Sequence, residues 1–323
     1  MQNRSLNSII FIGDPQITFR RPARRLDEDF LAVCLDKLDQ AISLCNEYNA
    51  QPVILGDLFE YACEPNSRKA SEMLTGLSHV LSKAIHKPYV VAGNHDIKET
   101  TVTSDTHLSV MESANLIEIL DQGVRRFALA HESKVLHVAL SAVPYGNPLP
   151  DYVDRVEKDD IYFMVTHHDL EFEDSYPNAI PLHEISGVDH AVNGHMHLRQ
   201  KSIRAGQTNW HNPGNIIRQT IDDKDHIPNV LLFDGNDLKS ISLKYEPKEI
   251  VIDQSGYQIE KEETVYEEGY SEFVKALEST EDDREQSEDA GHIKQTIRNY
   301  FNEKEICAQH QNVIWDLLER QLA

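Results

Sequence analysis

The feature that most restricts this chain is a series of short apolar runs, each stopped by glycine or threonine and then by aspartate, asparagine or histidine. Residues 9–12 end at Gly13-Asp14, residues 51–55 at Gly56-Asp57, and residues 88–92 at Gly93-Asn94-His95-Asp96. Apolar runs this short, bounded by turn formers, read as strands. Between the first two runs, from residue 27 to 49, Phe30, Leu31, Cys34, Leu35, Leu38, Ala41, Ile42 and Cys45 recur at helical spacing. Residues 67–82 read as a second helix before the third run. Strand–helix–strand–helix–strand order implies βαβ units and a mostly parallel sheet. Residues 135–143, 161–166 and 230–233 read as further strands with less helix between them, which predicts a second, partly antiparallel sheet.

Two later segments carry the same kind of ending, Thr166-His167-His168-Asp169 and Gly194-His195-Met196-His197. In an open parallel sheet, ligands bind beyond the carboxyl ends of the strands, so groups far apart in sequence can converge there. Carboxylate, amide and imidazole together, with no thiolate, suit manganese, iron or zinc. A carboxylate such as Asp57 has two oxygens and can bridge two cations about 3.5–4 Å apart. Asp14 with Gln16, and His195 with His197, stand at i and i+2, on one face of extended chain. The glycines beside these residues are expected to let the backbone turn sharply.

The five blocks, in this order, resemble the calcineurin-like metallophosphoesterase superfamily, whose pattern runs D-x-H, GD, GNH[DE], H and GHxH. The resemblance covers residues 14–197 and implies an α/β fold, a four-layer α/β/β/α sandwich of two sheets flanked by helices. It implies two divalent metal ions, manganese first, with Mg2+, Fe2+ or Zn2+ as alternatives. One ion would be held by Asp14, Gln16, Asp57 and His197, the other by Asp57, Asn94, His167 and His195. His168 is the alternative to His167. His95 would stabilise or protonate the leaving group, while a water activated by the two ions attacks phosphorus in line. Gln16 departs from the family, which usually has histidine there; a neutral carbonyl oxygen is harder than imidazole and favours manganese or magnesium.

The metal blocks alone name no substrate. Arg20, Arg21, Arg24 and Arg25 follow the Asp14 block, a local basic cluster suited to phosphates flanking the scissile one. The segment 212–218 is similar to that of the SbcD-type DNA-repair nuclease subunit, a Pro-Gly-Ser-…-Arg stretch after the last histidine block. Pro213, Gly214 and Arg218 match it, and Asn215 replaces the serine. This resemblance implies a DNA exonuclease or endonuclease working with an SMC-like ATPase of the SbcC type, and raises the prospect of a homodimer. The rival readings are a phosphatase or phosphodiesterase acting on small molecules or nucleotides, and a binding module that kept the fold without activity.

Length and charge set the remaining bounds. At 323 residues the chain suits one large catalytic domain with an appendage. Its net charge of -23 argues against a general nucleic-acid coating protein, though not against a local basic groove. Residues 246–323 carry a net charge of -12, about half of the total in about a quarter of the length, which places a boundary near Tyr245. A metallophosphoesterase domain is thus expected over 1–245. An acidic C-terminal region of α-rich or α+β character would fill 246–323: a reduced cap at 250–279, a linker at 278–289 and an amphipathic docking helix at 306–322. Cys34, Cys45, Cys63 and Cys307 show no C-x-x-C spacing and are expected to be buried, reduced thiols of a cytoplasmic protein. No apolar run approaches the roughly 20 residues that cross a bilayer.

Overall fold

The computed structural model describes residues 6–255, apart from 99, 122, 132–133 and 174–178. The elements are β1 (Ser8–Ile12), α1 (Phe30–Glu47), β2 (Ala50–Ile54), α2 (Ser67–Leu81), β3 (Tyr89–Val90), α3 (His107–Ser113), β4 (Glu118–Ile119) and β5 (Arg125–His131). They continue with β6 (Lys134–Val143), β7 (Ile161–Thr166), β8 (His190–Asn193), β9 (Ile203–Ala205), β10 (Thr208–His211), β11 (Asn229–Phe233), β12 (Leu238–Ser242) and α4 (Lys248–Val251).

The two helices read from spacing form where expected, with ends set by caps. Asp29 accepts from the Ala32 amide at 3.0 Å and opens α1, and Asn66 accepts from the Lys69 amide at 3.2 Å and opens α2. One sheet runs β12-β11-β1-β2-β3-β4, the other β5-β6-β7-β8-β10-β9. β1 to β4 are parallel, as are β6, β7, β8 and β10. The antiparallel pairings lie toward the edges, at β11 and β12 of one sheet and at β5 and β9 of the other.

Alternation along the strands separates three apolar layers. Ile10, Ile12 and Ile54 pack against Cys34, Leu38, Ala41 and Ile42 of α1 and Met73 and Leu77 of α2. Their neighbours Ile9, Phe11, Val53 and Leu55 face the other way, onto Val138, Leu140, Phe163, Val165 and Val192 of the second sheet. Period-two side-chain alternation thus gives one strand to two cores. The outer face of the second sheet, Ala139, Tyr162, Met164, Ala191 and Trp210, is covered by Leu170, Phe172, Ile185 and Val188 from the connecting chain. Among the described residues this outermost layer is irregular chain rather than helix.

Phe163 links the sheets at their centre, with Phe11 at 5.3 Å and Phe233 at 5.0 Å between ring centroids. Of the cysteines, Cys34 and Cys45 are buried and free, whereas Cys63 is exposed, against expectation, on the loop before α2. Burial pushes the Cys34 thiol up to about 12. No described helix is long and apolar enough to cross a membrane.

The chain divides after Gln254 into two units. Residues 246–253 belong to the first: the Leu26 amide donates to the Val251 carbonyl at 3.0 Å and the Asp253 amide to the Arg24 carbonyl at 2.7 Å. The rest of the expected cap, the linker at 278–289 and the docking helix at 306–322 lie outside the described residues. Phe163→Ala is expected to destabilise the first unit by about 3–5 kcal/mol, because the void opens between two sheets that cannot both collapse into it. Urea denaturation of the variant beside the wild type measures this.

Candidate metal centre

Each predicted ligand follows a strand of the inner faces. β1 leads to Asp14 and Gln16, β2 to Asp57, β3 to Asn94, β7 to His167, and β8 to His195 and His197. Asp57, His167 and His195 come together, each offering an atom within 4.8 Å of the others. His167 Nε2 lies 3.2 Å from Asp57 Oδ2 and 3.2 Å from Asn94 Oδ1, and His195 Nδ1 lies 2.9 Å from the same Asn94 oxygen. Asp14 Oδ1 is 3.7 Å from His167 Nδ1. The Gln16 amide donates to the Asp57 carbonyl at 2.8 Å, so the first and second loops are tied beside the cluster. His168 turns away, its Nε2 set 2.8 Å from the Asn147 carbonyl. The cluster therefore takes His167 of the adjacent pair.

The centre holds more acceptors than donors. Among the described residues, both carboxylate oxygens of Asp14 and Oε1 of Gln16 are buried with no hydrogen-bond partner. An unpaired buried carboxylate is costly and responds by keeping its proton. Burial pushes Asp14 up to about 7, with Asp57 adding to the rise and His167 opposing it. Burial would also raise Asp57, but His167 and His95 together outweigh it and bring Asp57 down to about 2. Burial would lower His167, yet the charges of Asp57 and Asp14 keep its proton on up to about 9. His197 is brought down to about 4 by burial and stays neutral, as a ligating imidazole must be. These donors fit divalent cations: oxygen and imidazole nitrogen only, converging, and with buried oxygens that no described residue hydrogen-bonds.

The backbone is bent to make this arrangement. Asp14, Gln16, Asp57 and His195 have φ of 30°, 42°, 45° and 71°, the left-handed region that non-glycine residues avoid. Of the four flanking glycines only Gly56 shares it, at 113°. The sharp turns are thus taken mostly by the ligands, and the glycines serve a different need, close approach. A Cβ on Gly93 would meet the Asp57 carboxylate, and one on Gly194 would lie 2.8 Å from Asp14 Oδ1 and 2.9 Å from His167 Nδ1.

Several residues that sequence reasoning left without a role hold the ligands in place. Asp96, fully buried, accepts from the amides of Leu58 (3.2 Å), Phe59 (3.1 Å) and Gly93 (3.1 Å), stapling the second loop to the third. Asp169 sits 3.2 Å from His195 Nε2, which fixes the ring with Nδ1 toward Asn94. The Asn193 side chain joins the ends of β7 and β8 through Thr166 Oγ1 at 2.7 Å and the His168 amide at 3.1 Å. The Asn212 side chain donates to the carbonyls of Met196 and Leu198 at 2.8 and 3.0 Å. The Tyr145 ring lies 5.6 Å from the His195 ring and 6.3 Å from that of His167. No spacing pattern marks these partners; only the GNHD and HHD blocks signal Asp96 and Asp169.

The arginines expected at the substrate each have a protein partner. Arg20 pairs with Glu64 at 2.8 Å, the Arg21 guanidinium donates to the Asp27 carbonyl at 3.0 Å, and that of Arg24 to the Asp253 carbonyl at 3.4 Å. Arg25 binds Asp27 through Nε at 2.7 Å and Nη2 at 3.0 Å. Arg25 and Arg218 are 4% exposed and line a cavity whose walls include none of the metal-ligand candidates. The segment 213–216 instead closes the metal centre, since the Asn215 amide donates to the His197 carbonyl at 3.0 Å and the Ile216 amide to the Gly13 carbonyl at 3.1 Å.

Two packed mixed sheets with oxygen and imidazole donors at the strand ends define a metal-dependent phosphoesterase architecture. The chain belongs to the calcineurin-like phosphoesterase family, whose profile matches residues 8–199. No curated protein matches it. Among solved structures it is similar to a dimetal phosphatase from Danio rerio, at 11% identity over 74% of this chain and 97% of that one, with a TM-score of 0.44. It is also similar to GAP50, the anchor in the inner membrane complex of Plasmodium (9%, 78% and 93%, 0.43), and to an archaeal phosphodiesterase (12%, 73% and 99%, 0.34).

Gly93→Ala is expected to lower metal affinity about 10–100-fold, because the new methyl displaces the Asp57 carboxylate. Isothermal titration with manganese, beside a thermal melt of the metal-free variant, checks that the loss is local.

Proposed function

We propose that this chain hydrolyses phosphodiesters at a pair of divalent metal ions, with DNA as substrate, in the manner of the SbcD type. The observation that carries the hydrolytic reading is the set of buried, unpartnered oxygens of Asp14 and Gln16 beside the Asp57–His167–His195 group. In this reading Asp14, Gln16, Asp57 and His197 hold one ion, and Asp57, Asn94, His167 and His195 the other. The carbonyl oxygen of Gln16 favours manganese or magnesium. When bound, the ions supply an activated water and neutralise the phosphoryl charge.

The chain's own contribution centres on His95. Its amide donates to Asp57 Oδ1 at 2.9 Å, and its ring Nδ1 lies 2.8 Å from the Glu60 carbonyl. A carbonyl accepts only, so Nδ1 carries a hydrogen and Nε2 is the atom left to meet the departing oxygen. Burial would strip the ring's proton, but the Asp57 charge and the Glu60 carbonyl together raise its pKa. Both effects favour the protonated ring, the form that acts as general acid, a contribution of roughly 10²–10⁴-fold.

The DNA assignment rests on Pro213, Gly214 and Arg218 and on the cluster Arg20, Arg21, Arg24 and Arg25. A second reading, a small-molecule or nucleotide phosphodiesterase, is favoured by the engagement of these arginines with protein groups. With manganese, the full chain is expected to cut labelled single- or double-stranded DNA as well as bis-p-nitrophenyl phosphate. His95→Asn should reduce both rates by about 100-fold or more with two ions still bound, while Asp57→Ala should lose metal. Turnover of the small diester with DNA untouched would establish the second reading. No hydrolysis with any divalent ion would leave only a binding module.

The same reading includes a partner, an SMC-like ATPase docked by the C-terminal segment, and a cytoplasmic setting in keeping with the free thiols of Cys34 and Cys45. Deleting residues 300–323 should abolish co-purification with such an ATPase and leave metal content unchanged. Association that survives the deletion removes the docking role.

A further inference from the structure

Between α1 and the chain that follows β12 lies a cavity of about 500 Å³, lined by Arg25, Lys37, Arg218, Lys244 and Tyr245. Three of its cations are nearly out of solvent: Arg25 and Arg218 are 4% exposed and Lys37 is 8% exposed. Arg25 is the one with a carboxylate partner, Asp27, and its Nη1 donates to the Arg218 carbonyl at 2.8 Å. Arg218 meets only neutral oxygens, the carbonyls of Lys224 at 3.0 Å and of Glu246. Lys37 likewise donates only to the Lys244 carbonyl.

Counting donors sharpens the point. A guanidinium has five N–H groups and an ammonium three, so Arg218 and Lys37 each keep donors with no partner among the described residues. Asp27, Asp36 and Glu246 also line the cavity; Asp27 is taken by Arg25, and Asp36 and Glu246 are exposed. Asp36 accepts from Gln40 Nε2 at 2.6 Å, and Asp223 accepts from the amides of Gln219 and Thr220 at 2.8 and 2.9 Å. Burial lowers the pKa of both Lys37 and Arg218, and Arg25 adds its repulsion to each. Asp36 and Glu246 attract Lys37, and Asp223 attracts Arg218, yet among the described residues both cations hydrogen-bond only to neutral oxygens. A bound anion supplies the charge-assisted partner each lacks.

The cavity has room for more than a simple anion. It is far larger than an inorganic phosphate needs and falls in the usual range for small organic ligands, roughly 300–1,000 Å³. Tyr245, 44% exposed, sits in its wall with the Arg218 guanidinium 5.2 Å from its ring centroid, leaving a flat aromatic surface beside the cations. We propose that this cavity is a second, non-catalytic site for a phosphomonoester of mononucleotide size, its phosphate held by Lys37 and Arg218 and its base set against Tyr245.

The site is separate from the metal centre, so binding and hydrolysis can be read independently. The full chain, with metal removed by chelator, is titrated with deoxyadenosine monophosphate and with deoxyadenosine by calorimetry. One nucleotide is expected to bind per chain, at least about tenfold more tightly than the nucleoside, because the nucleoside lacks the charge-assisted hydrogen bonds. Lys37→Gln should weaken nucleotide binding about tenfold or more, Lys37→Arg should restore most of it, and neither should change the rate on bis-p-nitrophenyl phosphate. Absence of chelator-resistant binding, equal affinity for nucleoside and nucleotide, or full affinity in a folded Lys37→Gln variant overturns the proposal. None of these outcomes bears on metal-dependent hydrolysis.

Discussion

The structure turns on an electrostatic deficit: at the strand ends, buried acceptor atoms of Asp14 and Gln16 have no hydrogen-bond donor among the described residues. Asp14 has two unpartnered oxygens, Gln16 has one, and Asp57 must share His167 with Asn94. A fold ordinarily avoids such a concentration because each unpaired buried polar group costs about 1–3 kcal/mol. Here the backbone is bent to create it, with four of the ligand residues at left-handed φ. Strain and unmet acceptors at one place make sense together when a cation completes the site, since one ion satisfies several oxygens and imidazoles at once.

That arrangement needs rigid support, which the two sheets supply. β1, β2 and β3 lie in one sheet and β7 and β8 in the other, and the shared apolar layer around Phe11, Phe163 and Val192 sets how the two groups of strand ends face each other. The loops themselves are then tied by polar side chains. Asp96 joins the second and third loops, Asn193 joins the ends of β7 and β8, and Asn212 holds the loop carrying His197. The segment 213–216 bridges the Gly13 and His197 carbonyls through the amides of Ile216 and Asn215, tying the first loop to the last.

Much of this was legible in the residues. The strands ending at Gly13, Gly56 and Thr166 stood out because apolar runs stop at polar residues, and α1 and α2 because their apolar positions repeat at helical spacing. The edge strands β5 and β9 escaped notice because they lack the continuous apolar run of a buried strand, and the interior β10 because its four residues alternate buried and half-buried. The arginines after Asp14 read as substrate contacts, since a basic cluster in an acidic chain looks available. Arg25 pairs with Asp27, and Arg218, far away in sequence, gives two of its five donors to the carbonyls of Lys224 and Glu246.

The sequence by itself determined the kinds of donor and their order along the chain: carboxylate and amide first, asparagine and histidine in the middle, paired histidines last. Local patterning is enough for that, because strand, turn and polar ending are all short-range features. Tertiary structure decided between His167 and His168, which are adjacent and chemically identical, by directing one ring to Asp57 and the other to the Asn147 carbonyl. It also decided that the glycines permit close approach more than turning, and that Arg25, Lys37 and Arg218 share one cavity. These outcomes depend on distances between residues up to about two hundred positions apart, set by how two sheets pack, and no local pattern encodes them.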